Sequence, residues 1–318
     1  MLKTLRSVTL ALALVLVGPG SAAVNSPDKL TVVLGRSISP NHAPLIVAAK
    51  RDLFAAQDLD VQLIVADDPD NPAKWVTADK ADIALSHQYQ LHLQVNQGLP
   101  LKRIATLIAT PLSSLIVLNE SPIRSTADLK GRKIGYSGGD FEETLLKAML
   151  AQHAIAPDQV SLAKINTSRL PALISGQVDA VIGVFRNLEL NQLAILKKPG
   201  RAFYVEEEGI PAYDELILVA NRTKLNDPRL RRFLMAVEQA VHYIVNHPDE
   251  AWALFSSYDQ ALDNELNRRA WPETWPRFAL RPAALDNGRY KRFAQFLVQY
   301  ELLTVVLPVS NYAVELSD

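Results

Sequence analysis

Twice along this chain an aspartate introduces a short apolar run that ends in a polar cluster and passes straight into a helix. The two places, Lys80-Ala81-Asp82-Ile83-Ala84 and Gln177-Val178-Asp179-Ala180-Val181, lie roughly a hundred residues apart, about one domain length. A run of this kind reads as a strand buried on both faces. Parallel strands need a crossover long enough to hold a helix, so strand followed by helix implies an α/β architecture. Two such units imply two similar lobes facing each other across a cleft.

The rest of the chain follows the same rhythm. Strands are expected at Leu30–Leu34, Leu59–Val65, Asp82–Leu85 and Ile104–Ile108. Between them, one helix runs from a cap at Asn41 to Lys50, one follows the turn cluster Asp67–Pro72, and one opens at Ser86-His87-Gln88. From Leu115 the pattern restarts, with strands at Leu115–Leu118, Lys133–Tyr136, Val160–Ile165 and Asp179–Val184 and helices at Phe141–His153 and Leu170–Ser175. Ala202–Tyr204 and Leu216–Ala220 are further strands, the second returning the chain to the first lobe. The remainder reads as helical at Arg229–Asn246, Asp249–Phe255, Asp259–Arg269 and Asn287–Tyr300. Trp271, Trp275 and Phe278 form an aromatic corner that suits packing.

The first residues have the grammar of a secretion signal. Lys3 and Arg6 precede an apolar run from Val8 to Val17, broken by Gly18-Pro19-Gly20 and followed by Ser21 and Ala23. The expected cut follows Ala23, and so short a run cannot span about 30 Å of hydrocarbon. The expected division is residues 1–23 as signal, 24–112 with 218–318 as the first lobe and its C-terminal helices, and 113–217 as the second. The 318 residues include no cysteine. That excludes disulfides, thiolate metal sites, a cysteine nucleophile and a lipid-bearing cysteine at the cut, so the chain is expected free in the periplasm. A net charge of −1 gives no basic excess for nucleic acid.

Candidate chemistry gathers at helix starts, where the carboxyl ends of strands hold ligands in open α/β sheets. Phe185-Arg186-Asn187-Leu188-Glu189 sets an aromatic face, a guanidinium, an amide and a carboxylate together, enough to hold a small, flat, polar molecule. The plainer alternative is an exposed Arg186–Glu189 pair three residues apart. Ser137-Gly138-Gly139-Asp140-Phe141-Glu142-Glu143 lets backbone approach a ligand, and its acids favour a neutral or amine-bearing one; it also reads as a capped helix start. Tyr213-Asp214-Glu215 adds a ring and two carboxylates, and Glu189 or Glu215 could pair with the amino edge of an aminopyrimidine. His42, in Ser39-Pro40-Asn41-His42, could donate to a ligand or simply cap. His87 and His92 are five apart and do not share a helical face, which argues against a metal pair. No phosphate loop, nucleophile elbow or nucleophile–base constellation is present, so no cofactor or metal is expected.

Five segments carry a family resemblance: NHAPLIVAAKRDLF, KADIALSHQYQLHLQ, ADLKGRKIGYSGGDFEE, ISGQVDAVIGVFRNLELNQ and YDELILVANR. With them the chain resembles periplasmic substrate-binding proteins of ABC importers, in the group that holds the thiamine-pyrimidine binders and the yeast pyrimidine synthase. The resemblance implies a type II periplasmic binding protein fold, two α/β lobes with mostly parallel sheets joined by a hinge around a ligand cleft. It implies a monomeric, non-enzymatic receptor that delivers a formylamino- or hydroxymethyl-pyrimidine to an inner-membrane permease. By position Ser39, Asn41, His42, Ser86, Gln88, Ser137, Gly138, Gly139, Phe141, Glu142, Phe185, Arg186, Asn187, Glu189, Tyr213 and Glu215 would face the cleft. Gly35-Arg36 and Ser39 stand where such proteins often carry Asp-Trp and a further Asn, which implies either a variant ligand or ring stacking by Phe141, Phe185 and Tyr213. A sulfonate- or nitrate-binding protein of the same fold is one alternative. A pyrimidine synthase is another, although that branch is marked by a cysteine-rich stretch and uses pyridoxal phosphate and iron.

Overall fold

The computed structural model describes residues 26–35, 37–65, 72–165 and 169–316. The secretion-signal segment, Arg36 and most of the Asp67–Pro72 cluster lie outside them. In chain order the first strands and helices are β1 (Asp28–Leu34), α1 (Ala43–Lys50), β2 (Leu59–Val65), α2 (Ala73–Thr77), β3 (Ile83–Ser86), α3 (Gln88–Asn96) and β4 (Leu101–Ile108). The second run is β5 (Ser113–Leu118), β6 (Lys133–Tyr136), α4 (Asp140–Ala151), β7 (Ser161–Lys164), α5 (Arg169–Ile174), β8 (Ala180–Phe185), α6 (Arg186–Ile195) and β9 (Gly200–Tyr204). The chain then forms β10 (Leu216–Asn221), α7 (Pro228–Asn246), α8 (Pro248–Ser256), α9 (Glu265–Thr274), α10 (Asn287–Gln299) and α11 (Val309–Tyr312). A short 3₁₀ turn at Pro40–His42 precedes α1, and its start is closed by a box between Ser39 and His42. The cap expected of Asn41 therefore falls to Ser39.

The strands form two five-stranded sheets of the same order, β2-β1-β3-β10-β4 and β7-β6-β8-β5-β9. In each, the first three strands are parallel and the fourth runs antiparallel to both neighbours. The sheets are thus mixed rather than mostly parallel. The reason is the crossing itself: β5 and β10 are the first strands after the chain passes between lobes. Each starts at the cleft, where the parallel strands end, so it must run the other way.

The repeated aspartates perform one task in both lobes. The Asp82 carboxylate accepts from Thr31 N–H at 2.8 Å, and the Asp179 carboxylate accepts from Lys133 N–H at 2.8 Å. Asp82 fastens the start of β3 to β1, and Asp179 fastens the start of β8 to β6. Between Val184 and Ile182 the β8 register against β5 skips Gly183, which has φ +75°. This is a bulge in which only glycine sits without strain, and it turns the end of β8.

Apolar periodicity explains the layers. In α7, Leu230, Phe233, Leu234, Val237, Val241 and Ile244 form one buried stripe and pack with α1 and α8 on one face of the first sheet. Val33, Ala84, Leu91, Ile217 and Tyr312 fill the opposite face. The second lobe packs Leu145, Met149, Ile134 and Ile182 on one side, and Leu170, Leu173, Val181 and Leu193 on the other. Helix α10 serves both lobes: Tyr290 packs in the first, and Phe293, Phe296 and Leu297 pack in the second. Trp271 and Phe278 join the first core, and Trp275 packs against it. No helix among the described residues is long and apolar enough to cross a membrane.

Candidate ligand-binding site

Three strand ends converge on a cavity of about 340 Å³. The segment after β1 contributes Gly35, Ser37, Ser39, Asn41 and His42, and the passage from β3 into α3 contributes Leu85, Ser86, His87 and Gln90. From the second lobe, the end of β8 and the first turn of α6 add Phe185 and Leu188; Pro72 and Leu216 complete the lining. The volume is at the small end for ligand pockets and suits a single ring.

Two imidazoles set the electrostatics. Ser39 N–H donates to His42 Nδ1 at 3.1 Å, which places that ring's own proton on Nε2. Burial lowers the His42 pKa to about 4, with Ser39 opposing and the charge of His87 adding to the fall. His42 is thus a neutral donor at ordinary pH. His87 Nδ1 lies 2.6 Å from the Glu215 carbonyl and 3.1 Å from its carboxylate, so this nitrogen carries a proton. Burial alone would lower the His87 pKa, but its hydrogen bonds to Glu215 and the carboxylate's charge outweigh burial and raise it.

Glu215 is itself held firmly. Its Oε2 accepts from Leu112 N–H at 2.7 Å, Ser113 N–H at 3.0 Å and the Tyr213 hydroxyl at 3.3 Å. Burial raises its pKa, yet His87 and the two backbone donors bring it below the usual carboxylate value. Leu112 and Ser113 lie on the first passage between lobes and Glu215 on the second, so one carboxylate joins both. Its neighbour Asp214 accepts from Thr106 Oγ1 at 2.6 Å and pairs with Arg289 of α10.

Family and fold can be placed on this geometry. A model of the family described as NMT1/THI5 like matches residues 39–251, which span every wall of the cavity except Gly35 and Ser37. The chain belongs to the NMT1/THI5-like family. A Haemophilus influenzae protein named for thiamine biosynthesis is 46% identical over 91% of this chain and 92% of its own. The formylaminopyrimidine-binding protein of Halalkalibacterium halodurans is 29% identical over 82% of this chain and 81% of its own. A 4-amino-5-hydroxymethyl-2-methylpyrimidine phosphate synthase of Saccharomyces cerevisiae is 24% identical over 91% and 88%. Among solved structures, the alkanesulfonate-binding protein SsuA of Xanthomonas axonopodis superposes with a TM-score of 0.70 at 15% identity, covering 91% of this chain and 99% of that one. A Candida albicans protein described as having the generic periplasmic binding protein fold gives 0.69 at 17%, covering 90% and 96%. This NMT1/THI5-like chain has that two-lobed fold.

Of the residues expected at the cleft of this family member, Ser39, Asn41, His42, Ser86 and Phe185 line the cavity. The others stand outside its lining. Gln88 is fully buried, with its carbonyl oxygen accepting from Asp214 N–H; Gln90, a half-turn on, faces the cavity instead. Phe141 stacks on Tyr89 with ring centres 4.0 Å apart and meets Tyr213 edge-on, so both rings are spent on each other and on Phe293. Glu142 accepts from Ser137 N–H and hydroxyl and pairs with Arg169 at 2.9 Å. Gly138 has φ +102° and lies against the Lys164 side chain, and Gly139 is exposed.

The first turn of α6 faces the seam between lobes. Arg186 pairs with Glu206 at 2.8 Å and lies over the Tyr204 ring, rather than pairing with Glu189. Asn187 Nδ2 donates to Asn41 Oδ1 at 2.8 Å and Thr274 Oγ1 at 2.7 Å. Glu189 keeps a buried Oε2 with no hydrogen-bond partner, and burial raises its pKa to about 7 against the opposing charge of Arg169. His87, Gln90, Ser37 and Leu188 are among the eight lining residues that sequence reasoning passed over, with Gly35, Pro72, Leu85 and Leu216. His87 had a signal, an ionisable residue at the cap of a helix after a buried strand. No group of His, Asp and Glu among the described residues could hold a metal.

Proposed function

We propose that this chain is the solute receptor of an ABC import system in the periplasm, taking a thiamine-precursor pyrimidine between its lobes and presenting it to a membrane permease. It acts without catalysis and as a monomer. The observation that carries this is one small cavity at the lobe seam, walled by β1, β3 and β8 ends and lined by imidazoles, hydroxyls and amides around the Phe185 ring. Support comes from a relative named for formylaminopyrimidine binding and another named for thiamine biosynthesis. The second lobe, expected at residues 113–217, closes over the ligand, and Phe185 supplies the stacking face. Closure around the occupant creates the surface that the permease reads.

The tied-up carboxylates favour a second reading. Glu142 and Glu215 are paired with Arg169 and His87, and among the described residues no carboxylate lines the cavity, so a small sulfonate would meet donors rather than acids there. Thermal-shift and calorimetric titrations with formylaminopyrimidine, hydroxymethylpyrimidine, thiamine and methanesulfonate separate the two. A ligand at about 100 times its dissociation constant adds roughly 2.7 kcal/mol of stability, enough to raise Tm clearly. Shifts with the pyrimidines alone are expected. A shift with methanesulfonate alone would replace the pyrimidine by an anion.

A further inference from the structure

The cavity wall contains one residue whose state is fixed from outside the cavity. His87 has Nδ1 turned to the carbonyl and carboxylate of Glu215, so Nε2 is the edge of the ring left to serve the cavity it lines. Glu215 cannot swing away, because Leu112 N–H, Ser113 N–H and the Tyr213 hydroxyl hold its other oxygen. The groups facing His87 are Glu215 from the second lobe passage, His42 from the turn before α1, Tyr89 from its own helix and Phe185 from β8. Glu215 favours a protonated ring and His42 opposes it, but His42 is neutral with its Nδ1 accepting from Ser39. His42 therefore carries its proton on Nε2, and the ion pair with Glu215 raises the His87 pKa and so favours the doubly protonated ring, in which Nε2 carries a proton as well.

We propose that His87 selects the ligand: its Nε2–H and that of His42 present paired donors, so the occupant is recognised by a carbonyl-type hydrogen-bond acceptor, the formyl oxygen of a formylaminopyrimidine, and not by an amino group. Glu215 is the positioning residue that keeps the His87 donor in place. This rests on the pyrimidine reading and sharpens it. A site with buried donors rejects a molecule lacking the matching acceptor far more strongly than one lacking a methyl group.

Two measurements test it. Long-range ¹H–¹⁵N spectra of the ligand-free protein read the imidazoles directly. At pH 7 His42 should be neutral with its proton on Nε2, and His87 should be protonated on both nitrogens. Glu215→Gln should return His87 to an ordinary titration. A neutral His87 with bare Nε2 at pH 7 would overturn the proposal whatever the ligand. Calorimetry then compares formylaminopyrimidine with the aminomethylpyrimidine that lacks its formyl oxygen. The formyl compound should bind at least about tenfold tighter, and that preference should shrink as pH rises through the His87 titration. His87→Leu should abolish the preference, and His87→Gln, which keeps an N–H, should retain part of it. A folded His87→Leu protein with its preference intact would overturn the assignment. If neither pyrimidine binds the unaltered protein, the pyrimidine reading falls and the spectra still decide the state of His87. Methanesulfonate binding that His87→Leu abolishes would keep the donor pair and discard the pyrimidine.

Discussion

Glu189 holds a buried, unpartnered oxygen at the start of α6, and its carboxyl keeps a proton up to about pH 7. An unfolded chain releases that proton near pH 4.5. Between those values the unfolded state binds fewer protons than the folded one, so this group's contribution falls as pH rises and stays unfavourable above 7. Glu189→Gln should therefore stabilise the protein by about 2 kcal/mol at pH 8 and by little at pH 5, seen as a Tm gain confined to the alkaline side. A carboxylate placed at a helix start is easy to read along a chain. Whether it is free is not, since the partners that occupy the other acids lie far off: Arg169 is 27 residues from Glu142, and His87 is 128 from Glu215. Tyr213 shows the same limit, an aromatic beside two acids that is wholly buried against the hinge.

Strand β8 depends on its bulge. A Cβ at Gly183 would come within 2.2 Å of Glu142 Oε1, and the residue's positive φ admits few side chains. Arg169 binds the Gly183 carbonyl as well as Glu142, so the bulge and the ion pair stand together. Gly183→Ala should cost about 1–3 kcal/mol, read as a lower urea midpoint with the slope unchanged. An unshifted midpoint would show that β8 can straighten without loss. The strands themselves were legible as apolar runs, and a lone glycine inside one is a known bulge signal. Helix α3 was not legible in the same way. Its sequence QYQLHLQVN alternates every second residue, so no helical face stands out and periodicity could not choose Gln90 over Gln88 for the cavity. The mixed sheets escaped for a different reason, because strand direction depends on which lobe the chain has just left.

At the scale of the molecule, the repeated aspartates announced two lobes, and nothing local announced how they meet. Asn187 does so by donating to Asn41 and Thr274, residues from two segments of the opposite lobe. Asn191 adds a bond to Glu273 nearby. Asn187→Ala should loosen this seam and raise the radius of gyration of the ligand-free protein in small-angle scattering. An unaltered radius would mean that the Asn187 bonds do not hold the seam. The same variant should weaken ligand binding by a few fold, since part of the binding energy would go into closing the lobes.

Helix α10 limits what that closing can look like. With Tyr290 in one core and Phe293, Phe296 and Leu297 in the other, a wide gape would strip large side chains from one side, at about 1.5–3 kcal/mol for each one exposed. A turn of one lobe about the helix keeps both ends seated. On this packing the helix would serve as an axle, and opening is expected to begin as a twist, as a jar lid loosens, rather than as the swing of a door.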